Sequence, residues 1–194
     1  MNPFALLGAA PLLAVERVCY VWIARAPAAF RRWCARPPVA WLGPPVSIVG
    51  LLFAGFKVLQ LAVFFAWCYV HGDGVLPPTY SSPAALVLGG ALVIAGQVLN
   101  LGVFYRLRVV GVLFGGRLGH AVPWCRAFPF SRFSHPQYVG TVATIWGFFL
   151  AMRFPHPDWY QLPVLETLYY ALGAQLEAWE GEQRLGTDPE TQHV

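Results

Sequence analysis

Residues 128–140 read Phe-Pro-Phe-Ser-Arg-Phe-Ser-His-Pro-Gln-Tyr-Val-Gly, and they concentrate more usable chemistry than any other stretch of the chain. Arg132 offers a planar fork of donors, His135 a ring that can accept or give a proton, and Tyr138 a hydroxyl on an aromatic face. Pro136 interrupts backbone hydrogen bonding where an apolar run begins, and Gly140 permits close packing one turn later. Glu177, beyond the next apolar run, can meet this group from a neighbouring helix. A carboxylate, an arginine and aromatic rings beside an apolar slot suit a ligand that carries both charges and a flat, adenine-like ring. The plainer reading is a helix entrance furnished with the aromatic residues usual at a membrane surface.

Gly111-Val-Leu-Phe-Gly115-Gly116-Arg117-Leu-Gly119 invites a phosphate-loop reading, but no strand precedes it and no Gly-Lys-Ser/Thr closes it. Its glycines let a bent backbone pass near other helices, or let a ligand approach that backbone. Lys57 and Glu166 are charges inside apolar runs. Each costs about 2.5–3.5 kcal/mol at a helix centre, so each needs a partner or a polar cavity. A structural Lys57–Glu166 pair is the plain expectation, and a binding site the other. Four cysteines and five histidines show no metal-ligand spacing, so the cysteines read as packing residues and no metal is expected.

The elements that must position these residues follow from composition. Of 194 residues, 57% are hydrophobic and 11% charged, where soluble domains carry roughly 25% charge. Mean hydropathy is +0.54. Such a chain cannot cover its surface with polar groups, which excludes a soluble enzyme, a disordered tail and a disulfide-rich module. Basic patches for nucleic acid do not alternate with hydrocarbon-length spans, so nucleic acid is not an expected partner. The chain reads as an all-α integral membrane protein, a single domain over 1–194 with a bundle of about four transmembrane helices. Spans are expected at 46–70, 84–105, 138–152 and 159–176, with 177–194 as a polar tail. Residues 1–45 read as an N-terminal interfacial segment. Within it, 3–15 are short of the ~20 residues a span needs and contain Pro11, so a re-entrant or interfacial helix is expected, a tilted span through Ile23 being the alternative. Glu16-Arg17 interrupts this run and no cation precedes it, so a cleaved signal peptide is not expected.

Twelve of the 13 cations are arginine. Five lie in 16–36 and five in 106–136, whereas 71–83 has none. The positive-inside rule places the two basic segments and Glu177 together on the cytoplasmic face.

Gly96-Gln97-Val-Leu-Asn100, Gly111 to Gly119, Val122-Pro123-Trp124, Phe128-Pro129-Phe130 and His135-Pro136-Gln137-Tyr138-Val139-Gly140 together resemble the phospholipid N-methyltransferases, most nearly their plant-type form. The resemblance covers roughly residues 90–182. It implies an endoplasmic-reticulum membrane enzyme, its active site facing the cytosol, that moves methyl groups from S-adenosylmethionine to phosphatidylethanolamine derivatives and ends at phosphatidylcholine. The family's glycine motif falls on Ile94-Ala95-Gly96, keeping one of its two glycines, and its Glu-Glu motif on Glu177-Ala178, keeping one carboxylate. His135 stands where many relatives carry Asn or Asp.

On that resemblance Ile94, Ala95, Gly96, Gly111, Arg132, His135, Pro136, Tyr138, Gly140, Glu177 and Ala178 are expected at the donor, with S-adenosylmethionine as cosubstrate. Arg108, Arg117, Phe130 and Trp146 are expected at the phospholipid. The sequence chemistry agrees: arginines bind a carboxylate or phosphodiester, rings surround a methylated cation, and His135 or Tyr138 handles the amine proton. The mono- and dimethylated lipids are the expected substrates, as plant-type relatives favour the later steps. The His-Pro-x-Tyr-x-Gly element also occurs in isoprenylcysteine carboxyl methyltransferases, the alternative enzyme; a non-enzymatic structural membrane protein is the third reading.

Overall fold

The computed structural model describes residues 3–72, 82–122 and 125–187, with side chains for 5–72, 82–122 and 125–176. Six α-helices follow in order: α1 (Pro3–Arg25), α2 (Pro27–Cys34), α3 (Pro45–His71), α4 (Pro83–Val112), α5 (Pro136–Arg153) and α6 (Gln161–Thr187). Short 3-10 turns cover Val39–Leu42 and Gly115–Leu118, and the described residues contain no strand. Proline opens α2, α3, α4 and α5, where its missing N–H is one of the groups a helix start leaves unpaired anyway. Ser82 caps α4, its hydroxyl accepting from the Ala85 N–H at 3.2 Å.

The N-terminal region differs from the short interfacial segment expected. Pro11 does not break α1, which continues unbroken for 23 residues and swallows the Glu16-Arg17 interruption. By length and composition α1, α3 and α4 are the helices long and apolar enough to cross a membrane among the described residues. The spans expected over 138–152 and 159–176 become α5 and α6, which fall outside that criterion. At 1.5 Å per residue the 18 residues of α5 still reach about 27 Å.

Contacts fix the directions. Gly89 meets Gly147 and Gly96 meets Gly140, so α4 and α5 are antiparallel. Tyr169 donates to the Ala10 carbonyl and Arg17 lies over Tyr170, so α1 and α6 are parallel. One end therefore gathers α2, the start of α3, the end of α4 and the start of α5. The arginines at 25, 31, 32, 36, 106, 108, 117, 126 and 132 belong to these segments and their connections.

Two apolar clusters hold the ends. Ile23, Phe30, Ile48, Val49, Leu113 and Leu118 pack at the Arg-rich end; Leu13, Phe64, Trp67, Phe149 and Leu162 pack toward the other. Apolar side chains such as Val58, Val87 and Leu101 point outward, while Glu16, Gln60, Arg153, Asp158 and Glu166 are buried. This inverted pattern is what hydrocarbon as a solvent selects. At the far end the 153–158 turn is closed by Arg153, whose guanidinium donates to Asp158 at 2.6 and 2.9 Å, while the Trp67 indole donates to the same carboxylate at 3.0 Å.

The α4–α5 contact is the tightest of the bundle. Glycines spaced seven apart on each helix, 89 and 96 against 147 and 140, let the backbones touch. Gln97 donates across to the Thr144 hydroxyl at 3.0 Å.

Candidate functional site

The site is shaped by what happens where α4 ends. Arg108 breaks the helical path at φ 59°, ψ 172°, and Phe114 adopts a left-handed φ of 57°. The first is a conformation nearly reserved for glycine, and such strain persists only where the surroundings impose it. The turn Gly115–Leu118 then folds back, Leu113 and Leu118 joining the apolar cluster under α3. Arg117 pins the turn to the end of α1, donating to the Ala24 carbonyl at 3.1 Å. Arg106 Nε donates to the Phe128 carbonyl at 3.2 Å and ties α4 to the segment leading into α5. That segment ends at His135, whose carbonyl accepts from the Tyr138 and Val139 N–H groups at 3.1 Å, and the two rings of His135 and Tyr138 stack at 5.6 Å.

Between the folded-back turn and the start of α5 lies a cavity of about 510 Å³, within the 300–1,000 Å³ usual for small-molecule sites. Gly111, Gly116, Arg117, Phe130, His135 and Tyr138 are among the residues that line it. A Cβ at Gly111 would lie 2.8 Å from Leu107 Cβ and 2.9 Å from Val122, so any larger residue would force that wall to shift. Gly116 has room, and as glycine it leaves the cavity wall as bare backbone.

A second cavity of about 380 Å³ lies deeper and shares Tyr20, Phe53, Gln137 and Tyr138 with the first. Its charged lining, Glu16, Arg17 and Lys57, comes from α1 and α3, and Gln97, Asn100, Thr141 and Thr144 of α4 and α5 face it. Lys57 Nζ is 3.1 Å from Glu16, donates to Gln60 at 3.0 Å and lies 3.4 Å from the Tyr170 hydroxyl. Gln60 in turn donates to Glu166 at 2.7 Å. The expected Lys57–Glu166 pair is therefore relayed through Gln60, and the direct partner of Lys57 is Glu16 on α1. Arg17, one of the five arginines of 16–36, sits inside the bundle over Tyr170 at 3.7 Å, with Tyr138 at 5.7 Å and Tyr20 at 5.9 Å. The sequence signal was available: three charges inside two apolar runs must find one another.

Of the residues picked out in the sequence, the first cavity collects Gly111, Arg117, Phe130, His135, Pro136 and Tyr138. Gly96 and Gly140 instead form the α4–α5 backbone contact, and a Cβ at Gly96 would collide with the Gly140 carbonyl and the Thr144 hydroxyl. The Ile94 side chain is 67% exposed and Ala95 is exposed too, on the outer face of α4. Arg108 and Arg132 are exposed and line neither cavity. Trp146 donates to the Thr167 hydroxyl at 3.0 Å and meets Trp159 edge-on, away from both cavities. The side chains of Glu177 and Ala178 lie outside the described residues.

This geometry can be set beside known proteins. Residues 84–178, which supply α4, the folded-back turn, α5 and most of α6, match the family description "Phospholipid methyltransferase". The chain is also similar to the phosphatidyl-N-methylethanolamine N-methyltransferase of Arabidopsis thaliana, with 36% identity over 101 residues. That match covers 52% of this chain and 55% of the relative, so the chain spans about half the length of the curated relative it matches. No solved structure matches significantly. Through this segment, just under half of its length, the chain matches the phospholipid methyltransferases, a family of membrane enzymes.

Proposed function

We propose that the protein methylates the amine head group of phosphatidyl-N-methylethanolamine and its dimethyl counterpart to give phosphatidylcholine, with S-adenosylmethionine as donor. The observation that carries this reading is the first cavity, where the walls built by the family segment bring Gly111, Arg117, Phe130, His135 and Tyr138 around one space. The residues fit the donor: the Gly111 and Gly116 backbone permits close approach, Arg117 suits its carboxylate, and Phe130 or Tyr138 suits its adenine ring. When bound, the donor supplies a methyl group on a positively charged sulfur, already strongly electrophilic.

The chain's own residues then have three tasks. The stacked His135 and Tyr138 rings form the wall where the cavities meet, and fix the angle at which a lipid amine faces the donor site. The apolar lining of Val49, Phe53, Val103 and Leu107 excludes water and favours the uncharged amine, the form with a free lone pair. His135 is the residue placed to hold the proton that the amine gives up. The Arg-rich end, where the first cavity lies, supports a cytosolic orientation, and we assign the protein to the endoplasmic-reticulum membrane.

The test is to incubate membranes carrying the protein with methyl-labelled S-adenosylmethionine and, separately, phosphatidylethanolamine and its mono- and dimethyl forms. Label is expected in the latter two. Label in a prenylcysteine substrate and in no phospholipid would overturn the assignment.

A further inference from the structure

The second cavity has features that the methyl donor does not use. It lies between α3 and α4, which barely touch, meeting at contacts such as Phe53 against Phe104 at 6.2 Å. Leu61 and Gln97, both exposed, lie on its rim, and Val58, Phe65 and Leu101 continue the apolar surface outside it. The gap thus faces hydrocarbon, whereas its floor is charged. Two buried donor atoms there, Arg17 Nε and the Tyr20 hydroxyl, have no hydrogen-bond partner among the described residues. An unpaired buried donor costs about 1–3 kcal/mol, more when charged, and is rarely left so without a reason. Both residues are on α1, one turn apart, and Tyr20 borders both cavities. Arg17 cannot swing away freely, because its guanidinium is held over the Tyr170 ring and lies 3.4 Å from Glu16.

We infer that Arg17 and Tyr20 form the subsite for the phosphodiester of a phospholipid that enters sideways through the gap between α3 and α4. This rests on the proposed function and adds to it a phosphate-binding site outside the family segment. Arg17 Nε–H and the Tyr20 O–H are the two unpartnered donors that such an oxyanion would take, in charge-assisted bonds. The acyl chains remain against the apolar rim, and the amine reaches the shared wall at Tyr138. A carboxylate of the donor is the other anion such donors accept. Its approach is from the Arg-rich end, where Arg117 and not Arg17 lines the cavity.

The experiment compares wild type, Tyr20→Phe and Arg17→Gln in vesicles, varying the dimethylated lipid at saturating donor and then the reverse. Tyr20→Phe removes one oxygen from a partly buried ring and preserves the packing; unfolding temperature in detergent monitors both variants. The expected result for each variant is a lipid KM raised about tenfold, with donor KM and S-adenosylhomocysteine affinity changed less than about twofold. A rise in donor KM, or unchanged values for both, overturns the subsite. If wild type labels no phospholipid the proposed function falls, and retention of the same lipid through purification then decides the subsite by itself. Retention lost in the variants upholds it; equal retention overturns it.

Discussion

Replacing Gly96 by alanine separates two jobs that the sequence and the structure give one residue. As part of a donor motif, Gly96 affects ligand affinity. As a contact between α4 and α5, it affects the bundle itself. The added methyl would collide with the Gly140 carbonyl and lie 2.9 Å from the Thr144 nitrogen. Both obstacles are backbone of a helix, so no side chain can turn aside, and α5 must retreat by a good part of an ångström. Overpacking of this kind costs typically 1–3 kcal/mol. In a chain of 194 residues that lowers the unfolding midpoint by roughly 3–9 °C. Gly89 provides the calibration: its Cβ would sit 2.6 Å from the Gly147 oxygen and 3.0 Å from Ala151, at the same interface but two turns from the cavities. Thermal unfolding in detergent micelles, alone and with S-adenosylhomocysteine, measures both variants. Similar losses of stability are expected for the two, with Gly96→Ala also weakening the ligand because the displaced α5 carries His135 and Tyr138. A Gly96→Ala protein that unfolds within a degree of wild type would refute the packing argument.

Glu16→Gln should destabilise the protein by about 1–2 kcal/mol, because it leaves the half-buried Lys57 without its carboxylate; Glu16→Gln with Lys57→Met should recover most of the loss in the same unfolding assay. Asp158 is buried, which alone would raise its pKa, but hydrogen bonds and charge from Arg153 and the Trp67 indole outweigh that and hold it below the usual carboxylate range. A depressed folded-state pKa means the stabilisation is complete above about pH 5 and disappears as pH falls below about 4. Asp158→Asn should therefore flatten the acid limb of a stability–pH curve as well as lower its plateau. Arg108→Gly should stabilise the folded chain by about 1 kcal/mol, since glycine accepts the φ of 59° that arginine resists; an unchanged or lower midpoint in denaturant titration would show the strain to be absent.

The helical layers were legible because apolar runs of hydrocarbon length admit few other structures, and prolines marked where four helices begin. The first cavity was legible in part: Gly111, Arg117, Phe130, His135 and Tyr138 fall within a single stretch of 28 residues, so local sequence brings them near one another. What local sequence could not carry was anything that depended on α1. A run of 13 apolar residues ended by Glu16-Arg17 reads as too short to span, since the partner that neutralises Glu16 lies 41 residues away on α3. Nor could local sequence show that Gly96 meets Gly140. A glycine facing a ligand and one facing another helix look alike in sequence, and only the register of α4 against α5 tells them apart.

The ion pair between Glu16 and Lys57 also bears on how the protein is made. Chain order delivers α1 to the insertion machinery before α3, and until α3 follows Glu16 has only its neighbour Arg17 beside it. Each such charge costs about 2.5 kcal/mol or more to place alone in hydrocarbon. α1 therefore settles stably only once α3 has emerged and brought Lys57 alongside. The two helices enter the bilayer as a pair, and a lesion in α3 would first become visible as a failure to thread α1.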